Sequence, residues 1–295
     1  ATDKDVVVAP AMNVRMWEHA ATRDNIATLK ARGIRFAGPT EGAMACGEFG
    51  EGRMIEPLEI VAAIENYFSA SAPLSGRRAI VTSGPTHEAI DPVRYIANRS
   101  SGKQGHAIAA ALAGLGAETV LVTGPTEQAD PAGVEILRIE SARDMYDACM
   151  TALPADIAVC AAAVADWRPA AEDDRKIKKA KGAPPPSLGM VENPDILQAL
   201  SAAGNQRPGL VIGFAAETDN VIENAIAKRA RKACDWIVAN DVSPATGTFG
   251  GDTNTVHLIT AVGAEDWPAM AKTDVAARLA ERIAAHYAPT TEAAE

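Results

Sequence analysis

Aromatic side chains make up only 4% of this chain, and its four cysteines, Cys46, Cys149, Cys160 and Cys234, stand far apart. No two form a C-x-x-C pair and no histidine is spaced beside them for zinc, so a structural zinc site is excluded and reduced thiols are expected. No apolar run approaches the roughly 20 residues that cross a bilayer, and no basic-then-apolar leader opens the chain. These absences predict a cytoplasmic protein with no membrane segment. Positive charge is also in deficit: the net charge of −10 excludes an extended nucleic-acid face, which needs basic residues to displace counterions. The familiar nucleotide fingerprints are missing as well. There is no G-x-G-x-x-G, and a Walker loop would need Gly where Ala97 stands and Ser or Thr where Gln104 stands.

What is present is enough apolar material, 47% of 295 residues, for two globular domains with substantial cores. Strands are expected at Val6 to Ala9 and Ile34 to Ala37, with helix over most of Asn13 to Arg32 and over Pro57 to Ser69. A tract of linker composition follows, which puts domains at 1–70 and 78–290 with a linker at 71–77. From Arg78 onward strands and helices alternate. Strands are expected at 79–83, 118–123, 157–161, 210–215, 236–239 and 255–259, and helices at 102–115, 142–153, 195–203, 220–233 and 272–287. That alternation predicts an α/β fold with a Rossmann-like, doubly wound, mostly parallel sheet, preceded by a partial flavoprotein-type α/β domain. In such sheets ligands bind at the carboxyl edge, so Asn98, Ala161 to Arg168, Phe214 to Thr218 and Asn240-Asp241 should converge there.

The stretch Asp91-Pro-Val-Arg-Tyr-Ile-Ala-Asn-Arg-Ser-Ser-Gly-Lys-Gln-Gly105 is the most telling. It follows a buried strand and a Gly-Pro turn, and its small residues Ser100, Ser101, Gly102 and Gly105 open an alanine-rich helix. Free backbone N–H groups there suit an anion, although a plain capped turn has comparable weight. Basic residues cluster twice, at Arg175 to Lys181 before the Gly182-Ala-Pro-Pro-Pro186 tract and at Lys228, Arg229, Arg231 and Lys232. The first could close over phosphates. Lys228 and Lys232 share one helix face, which periodicity alone reads as solvated.

Eight segments occur in order: Pro10-Ala-Met-Asn-Val-Arg-Met-Trp17, Ala45-Cys-Gly-Glu-Phe-Gly-Glu-Gly-Arg-Met54, the stretch above, Ala161-Ala-Ala-Val-Ala-Asp166, Lys176-Ile-Lys-Lys179, Asn193-Pro-Asp195, Gly213-Phe-Ala-Ala-Glu-Thr218 and Ala239-Asn-Asp241. Together they resemble the bacterial bifunctional phosphopantothenoylcysteine decarboxylase/phosphopantothenate-cysteine ligases of coenzyme A biosynthesis. The resemblance implies that the later residues join 4′-phosphopantothenate to cysteine with CTP and Mg²⁺ through an acyl-cytidylate, releasing pyrophosphate and then CMP. Asn98 would hold the substrate carboxylate with Arg94 nearby, and Lys176 would contact the nucleotide and promote turnover of the intermediate. Cys160, Ala161, Ala162, Asp166, Pro194, Asp195, Ile196, Leu197, Phe214, Lys228 and Lys232 match the CTP-binding set. Which residues hold Mg²⁺ is not implied.

The first segment resembles the latter part of the FMN-dependent decarboxylase, with Asn13 binding the substrate carboxylate and Cys46 donating a proton from a glycine-rich flap. The family's first flavin-binding strand and essential histidine have no match here. His19 does not replace that histidine, and a surface or capping role is expected for it. An N-terminal truncation is therefore expected, with an exposed sheet edge and impaired FMN binding and decarboxylation. The resemblance further implies a ligase dimer within a larger homo-oligomer. A different class of function, a non-catalytic flavin- or nucleotide-binding assembly module, predicts nucleotide binding without pyrophosphate release.

Overall fold

The computed structural model describes residues 2, 4–44, 47–70, 72–178, 187–241 and 251–288. The chain divides into two compact units, Ala1–Ala72 and Pro73–Glu295.

In the first unit, strand Val7–Val8 pairs in parallel with Arg35–Phe36 across a helical crossover. The expected single helix is broken into Val14–Glu18 and Ala20–Ala31 at His19. There the backbone turns extended, and His19 Nδ1 accepts from Ala21 N–H at 3.2 Å, the expected capping role. Hairpin Thr40–Ala43 with Phe49–Arg53 and helix Pro57–Ala70 complete the unit. Pro10 and Ala37 are buried in it, and most of its other apolar side chains are half-buried or exposed.

The second unit is built on an eight-stranded sheet. Its strands are β1 (Arg78–Ser83), β2 (Glu118–Thr123), β3 (Val134–Arg138), β4 (Ile157–Cys160), β5 (Leu210–Glu217), β6 (Trp236–Asp241), β7 (Val256–Thr260) and β8 (Gly263–Asp266). The order is β8-β7-β6-β5-β4-β1-β2-β3. The first six strands are mutually parallel, and at one edge β7 pairs antiparallel with β6 and β8 antiparallel with β7. The parallel part thus has the 3-2-1-4-5-6 order of doubly wound sheets, with its reversal between β1 and β4. Strand alternation divides the core in two. Ala79, Val81, Ile157, Val159, Leu210 and Ile212 pack against helices α1 (Lys103–Gly114) and α5 (Lys272–Tyr287). Ile80, Ala158 and Val211 pack on the other face with α2 (Ala142–Thr151), α3 (Ile196–Ser201) and α4 (Val221–Lys232).

The sequence reading runs β1 straight into the α1 loop, but a hairpin intervenes, His87–Asp91 paired with Arg94–Ala97. Arg94 therefore lies in a strand and not in the loop that opens α1. A second small pair, Trp167–Pro169 with Met190–Glu192, flanks a stretch that includes 179–186, outside the described residues.

Candidate functional site

At the carboxyl ends of β1 and β4, where strand order reverses, a cleft of about 1040 Å³ opens. Two features of α1 shape one wall. Gly102 is its N-cap at φ 74°, left-handed backbone that favours glycine, and no side chain caps the helix. Gly105 lets α1 lie against the end of β1, since a Cβ there would sit 2.4 Å from Ser83 Oγ and 3.0 Å from Ser83 Cα. Asn98 to Gly105 line this wall, with the first N–H groups of α1 free of a side-chain cap.

The facing wall follows β4. Ala162 N–H donates to Thr82 Oγ1 at 3.1 Å, and Ala165 N–H donates to Thr86 Oγ1 at 3.0 Å, so buried threonines at the end of β1 and just past it pin the 160–166 turn. Asn98 Nδ2 donates to Val164 O at 2.8 Å, which ties the two walls together. Asn193 Nδ2 donates to Ala165 O at 2.8 Å and brings Pro194 to Leu197 alongside. Asp195 caps α3 by accepting from Gln198 N–H at 2.9 Å, and its other oxygen forms an ion pair with Lys232. Lys228 Nζ donates to Phe214 O at 2.9 Å, and burial pushes its pKa down. The face carrying Lys228 and Lys232 is consequently not a solvated one: both side chains are half-buried and line the cleft.

Of the residues expected at the site, Asn98, Cys160, Ala161, Ala162, Asp166, Pro194, Asp195, Ile196, Leu197, Phe214, Lys228 and Lys232 share this cleft. Of the wider set expected to converge, Arg168, Ala215, Glu217, Thr218 and Asp241 do not line it. Nor do Arg94 and Lys176. Arg94 pairs with Asp91 and donates to Ile177 O at 3.2 Å, while Ile177 N–H donates to Asp91 Oδ2 at 3.1 Å. The segment bearing Lys176 is thus clasped to the 87–97 hairpin, and Lys176 itself is exposed. Asn13 belongs to the first unit, where it caps Val14–Glu18, accepts from Arg15 N–H at 2.8 Å and donates to Glu48. Cys46 lies outside the described residues, as do Lys179 and Lys181.

The reading of the sequence missed Lys103, Gln104, Asn254 and Lys272 as lining residues. Lys103 and Gln104 sit inside the most telling stretch and were within reach of it. Burial pushes Cys149 up to about 12, Cys234 up to about 11 and Cys160 well above the usual thiol range, which makes all three poor nucleophiles. Among the described residues no group of three or more His, Cys, Asp or Glu could hold a metal ion. Nor is any described helix long and apolar enough to cross a membrane.

A doubly wound sheet with a polar, partly cationic cleft at its switch point defines an α/β protein whose strand ends have the character of a ligand site. Family models match in tandem: "Flavoprotein" over residues 1–69, and "DNA/pantothenate metabolism flavoprotein C-terminal domain" over 74–287. The coenzyme A biosynthesis bifunctional protein CoaBC of Vibrio vulnificus (strain CMCP6) is 43% identical over 284 residues, 96% of this chain and 70% of that protein. Its namesake from Escherichia coli (strain K12) is 43% identical over 289 residues, 97% of this chain and 71% of that protein. A crystal structure of the C-terminal domain of CoaBC superposes with TM-score 0.61 at 36% identity, covering 73% of this chain and 98% of that one. A Cab2 mutant in complex with phosphopantothenate-cysteine shares the fold, with TM-score 0.54 at 13% identity over 79% of this chain and 95% of that one. The chain belongs to the family of bifunctional coenzyme A biosynthesis proteins. The flavoprotein match over 1–69 leaves the expected N-terminal truncation without support.

Proposed function

We propose that the second unit is a CTP-dependent phosphopantothenate-cysteine ligase and that residues 1–69 belong to a flavin-dependent phosphopantothenoylcysteine decarboxylase. The observation that carries the ligase reading is the cleft at the β1/β4 reversal. There Asn98, the open N-terminus of α1, Asp166 and the Asp195–Lys232 and Lys228 cluster face one space. Family membership supports the substrate class.

A carboxylate is a poor electrophile until one of its oxygens becomes a phosphate leaving group. In the proposed first step an oxygen of the phosphopantothenate carboxylate attacks the α-phosphorus of CTP, the bond to the β-phosphate oxygen breaks, and pyrophosphate leaves. In the second step the amine of cysteine attacks the acyl carbon and CMP departs with the bonding pair. Asn98, held by Val164 O, orients the carboxylate, and the α1 N-terminus receives phosphate oxygens. Phe214 and the walls at Cys160 to Ala162 and Pro194 to Leu197 surround the nucleoside, with Lys228 and Lys232 presenting cations. Lys176 contacts the nucleotide and promotes turnover of the acyl-cytidylate, its charge offsetting that of the departing CMP, when its clasped segment reaches the cleft. In this reading Mg²⁺ arrives with CTP as part of the substrate, with Asp166 beside it.

In the first unit, both ends of the Asn13 side chain are held, by Arg15 N–H and by Glu48. These contacts fix the orientation of the amide; in this reading Asn13 meets the substrate carboxylate, and FMN would supply the redox chemistry of decarboxylation.

The test is pyrophosphate release with product mass, from the full chain given 4′-phosphopantothenate, Mg²⁺ and CTP or ATP, with and without cysteine. Turnover favouring CTP is expected, with an amide product. Lys176→Gln is expected to lower kcat by about 10²-fold or more, the range seen when one charge-stabilising donor is removed from a transition state. Nucleotide binding without pyrophosphate release would defeat the reading.

A further inference from the structure

Two side chains in the cleft end in acceptor oxygens that no described donor reaches. Gln104 Oε1 and Asn254 Oδ1 are sealed from water and have no hydrogen-bond partner among the described residues, and both residues line the cleft. Asn254 is 5% exposed. Buried acceptors of this kind are rare unless a ligand or water supplies the donor. Gln104 cannot relieve the mismatch by turning its amide over, because its Nε2 donates to Lys272 O at 3.1 Å and the flip would set two oxygens face to face.

The same corner carries two ammonium groups. Lys103, in the first turn of α1, donates to Asp252 Oδ1 at 2.6 Å, and the Lys272 N–H, at the start of α5, donates to Asp252 O at 2.9 Å. Short antiparallel pairing of Thr253–Asn254 with Met270–Ala271 fixes Asn254 beside the start of α5. Burial first, and the charge of Lys103 second, push the pKa of Lys272 down. No side chain caps α5.

We propose that Lys103, Gln104, Asn254 and Lys272 form the subsite for the incoming α-amino acid. Lys103 and Lys272 hold its carboxylate, and Gln104 Oε1 and Asn254 Oδ1 accept hydrogens from its α-ammonium. The assignment rests on the ligase reading and deepens it. A deprotonated phosphate brings acceptors only and leaves both amide oxygens unsatisfied. A divalent cation is opposed by two ammonium groups, and the Asp252 carboxylate beside them is already paired with Lys103, whereas a zwitterion carries both signs on neighbouring atoms. Asn98 and Gln104 belong to one short stretch of the same wall, so the amine stands beside the carboxyl group assigned to Asn98. Before attack the ammonium gives one proton to solvent, and the amide oxygens hold the remaining hydrogens so that the lone pair faces the acyl carbon. The carbon–nitrogen bond forms as the carbon–oxygen bond to CMP breaks, and the second proton follows to solvent.

Hydroxylamine separates this subsite from the rest of the machinery, since it intercepts an acyl-phosphate without a carboxylate or α-carbon to recognise. With the full chain, 4′-phosphopantothenate, Mg²⁺ and CTP, the ratio of kcat/KM for cysteine to that for hydroxylamine is expected to fall about tenfold or more in Gln104→Met and in Asn254→Ala. Lys272→Met is expected to erase the preference for cysteine over cysteamine, which lacks the carboxylate. Asn254→Ser serves where the alanine variant does not fold. An unchanged ratio, or a rise confined to the KM for CTP, overturns the subsite and leaves the ligase standing. A wild-type chain that releases no pyrophosphate from CTP and phosphopantothenate overturns the ligase reading, and the subsite with it.

Discussion

Single atoms decide how closely α1 approaches the sheet. At Gly105 a methyl group would meet Ser83 Oγ at 2.4 Å and Ser83 Cβ at 2.5 Å, and Ser83 has little freedom, being fully buried with its hydroxyl donating to Gly102 O at 2.9 Å. His106 Nδ1 sits 2.9 Å from the same hydroxyl, and burial holds that imidazole below its usual pKa. Gly105→Ala is therefore expected to push α1 outward, destabilising the unit by ~1–3 kcal/mol, the usual cost of overpacking. Because the displaced helix start is the proposed phosphate cradle, the KM for CTP is expected to rise as well. Urea unfolding and steady-state kinetics on the same preparation check both halves of this expectation, and an unchanged midpoint would show that Ser83 yields.

The hairpin of residues 87–97 acts through one carboxylate. Asp91 accepts from Val93 N–H at 2.9 Å, from Arg94 N–H and Nε at 3.0 Å each, and from Ile177 N–H at 3.1 Å. The Arg94 guanidinium beside it, more than any other influence, holds its carboxyl well below the usual carboxylate range, while burial opposes. A depressed folded pKa contributes stability that is complete above the unfolded carboxylate value of ~3.9 and is lost as pH falls below it. Asp91→Asn should therefore be less stable than wild type at neutral pH, with the gap closing below about pH 4. Urea midpoints of both proteins across pH 3 to 7 measure it, and a gap that stays constant would rule out the charge as its source. The same substitution loosens the clasp on Ile177.

That hairpin also marks how far the sequence could be read. Strand Glu118–Thr123 and helix Lys272–Tyr287 were legible to the residue, because a β-branched run between Gly116 and Gly124 and a periodic apolar face declare themselves locally. The hairpin has no Asn-Gly turn, its register shifts between Ala89 and Asp91, and its anchor at Ile177 is 86 residues distant. Strand Val134–Arg138 was missed as a short, half-exposed edge strand. In the site, Asn98, Asp166, Asp195 and Phe214 were accessible through ordered motifs. The solvated reading of Lys228 and Lys232 failed because periodicity reports a shared face but not what that face meets. Gln104 and Lys272 meet across 168 residues, and nothing local announces such a pairing.

At the scale of the second unit, the two core clusters lie on opposite faces of one sheet and hold its early and late strands together. The reversal of strand order between β1 and β4 means that neither stretch of chain owns the cleft. One wall comes from residues 98–105 and the other from residues 160–167 and beyond, with the exposed Ala132-Gly133 turn between them in sequence. A protease site inserted there and cleaved should leave pyrophosphate release intact while the two pieces stay together, since β2 and β3 still pair across the cut. Parted in denaturant, each piece alone should be silent towards CTP, and mixing them on refolding should restore the signal. Residues 73–295 are in this sense a split reporter waiting for its nick, with turnover as the readout of whether two polypeptides have found each other.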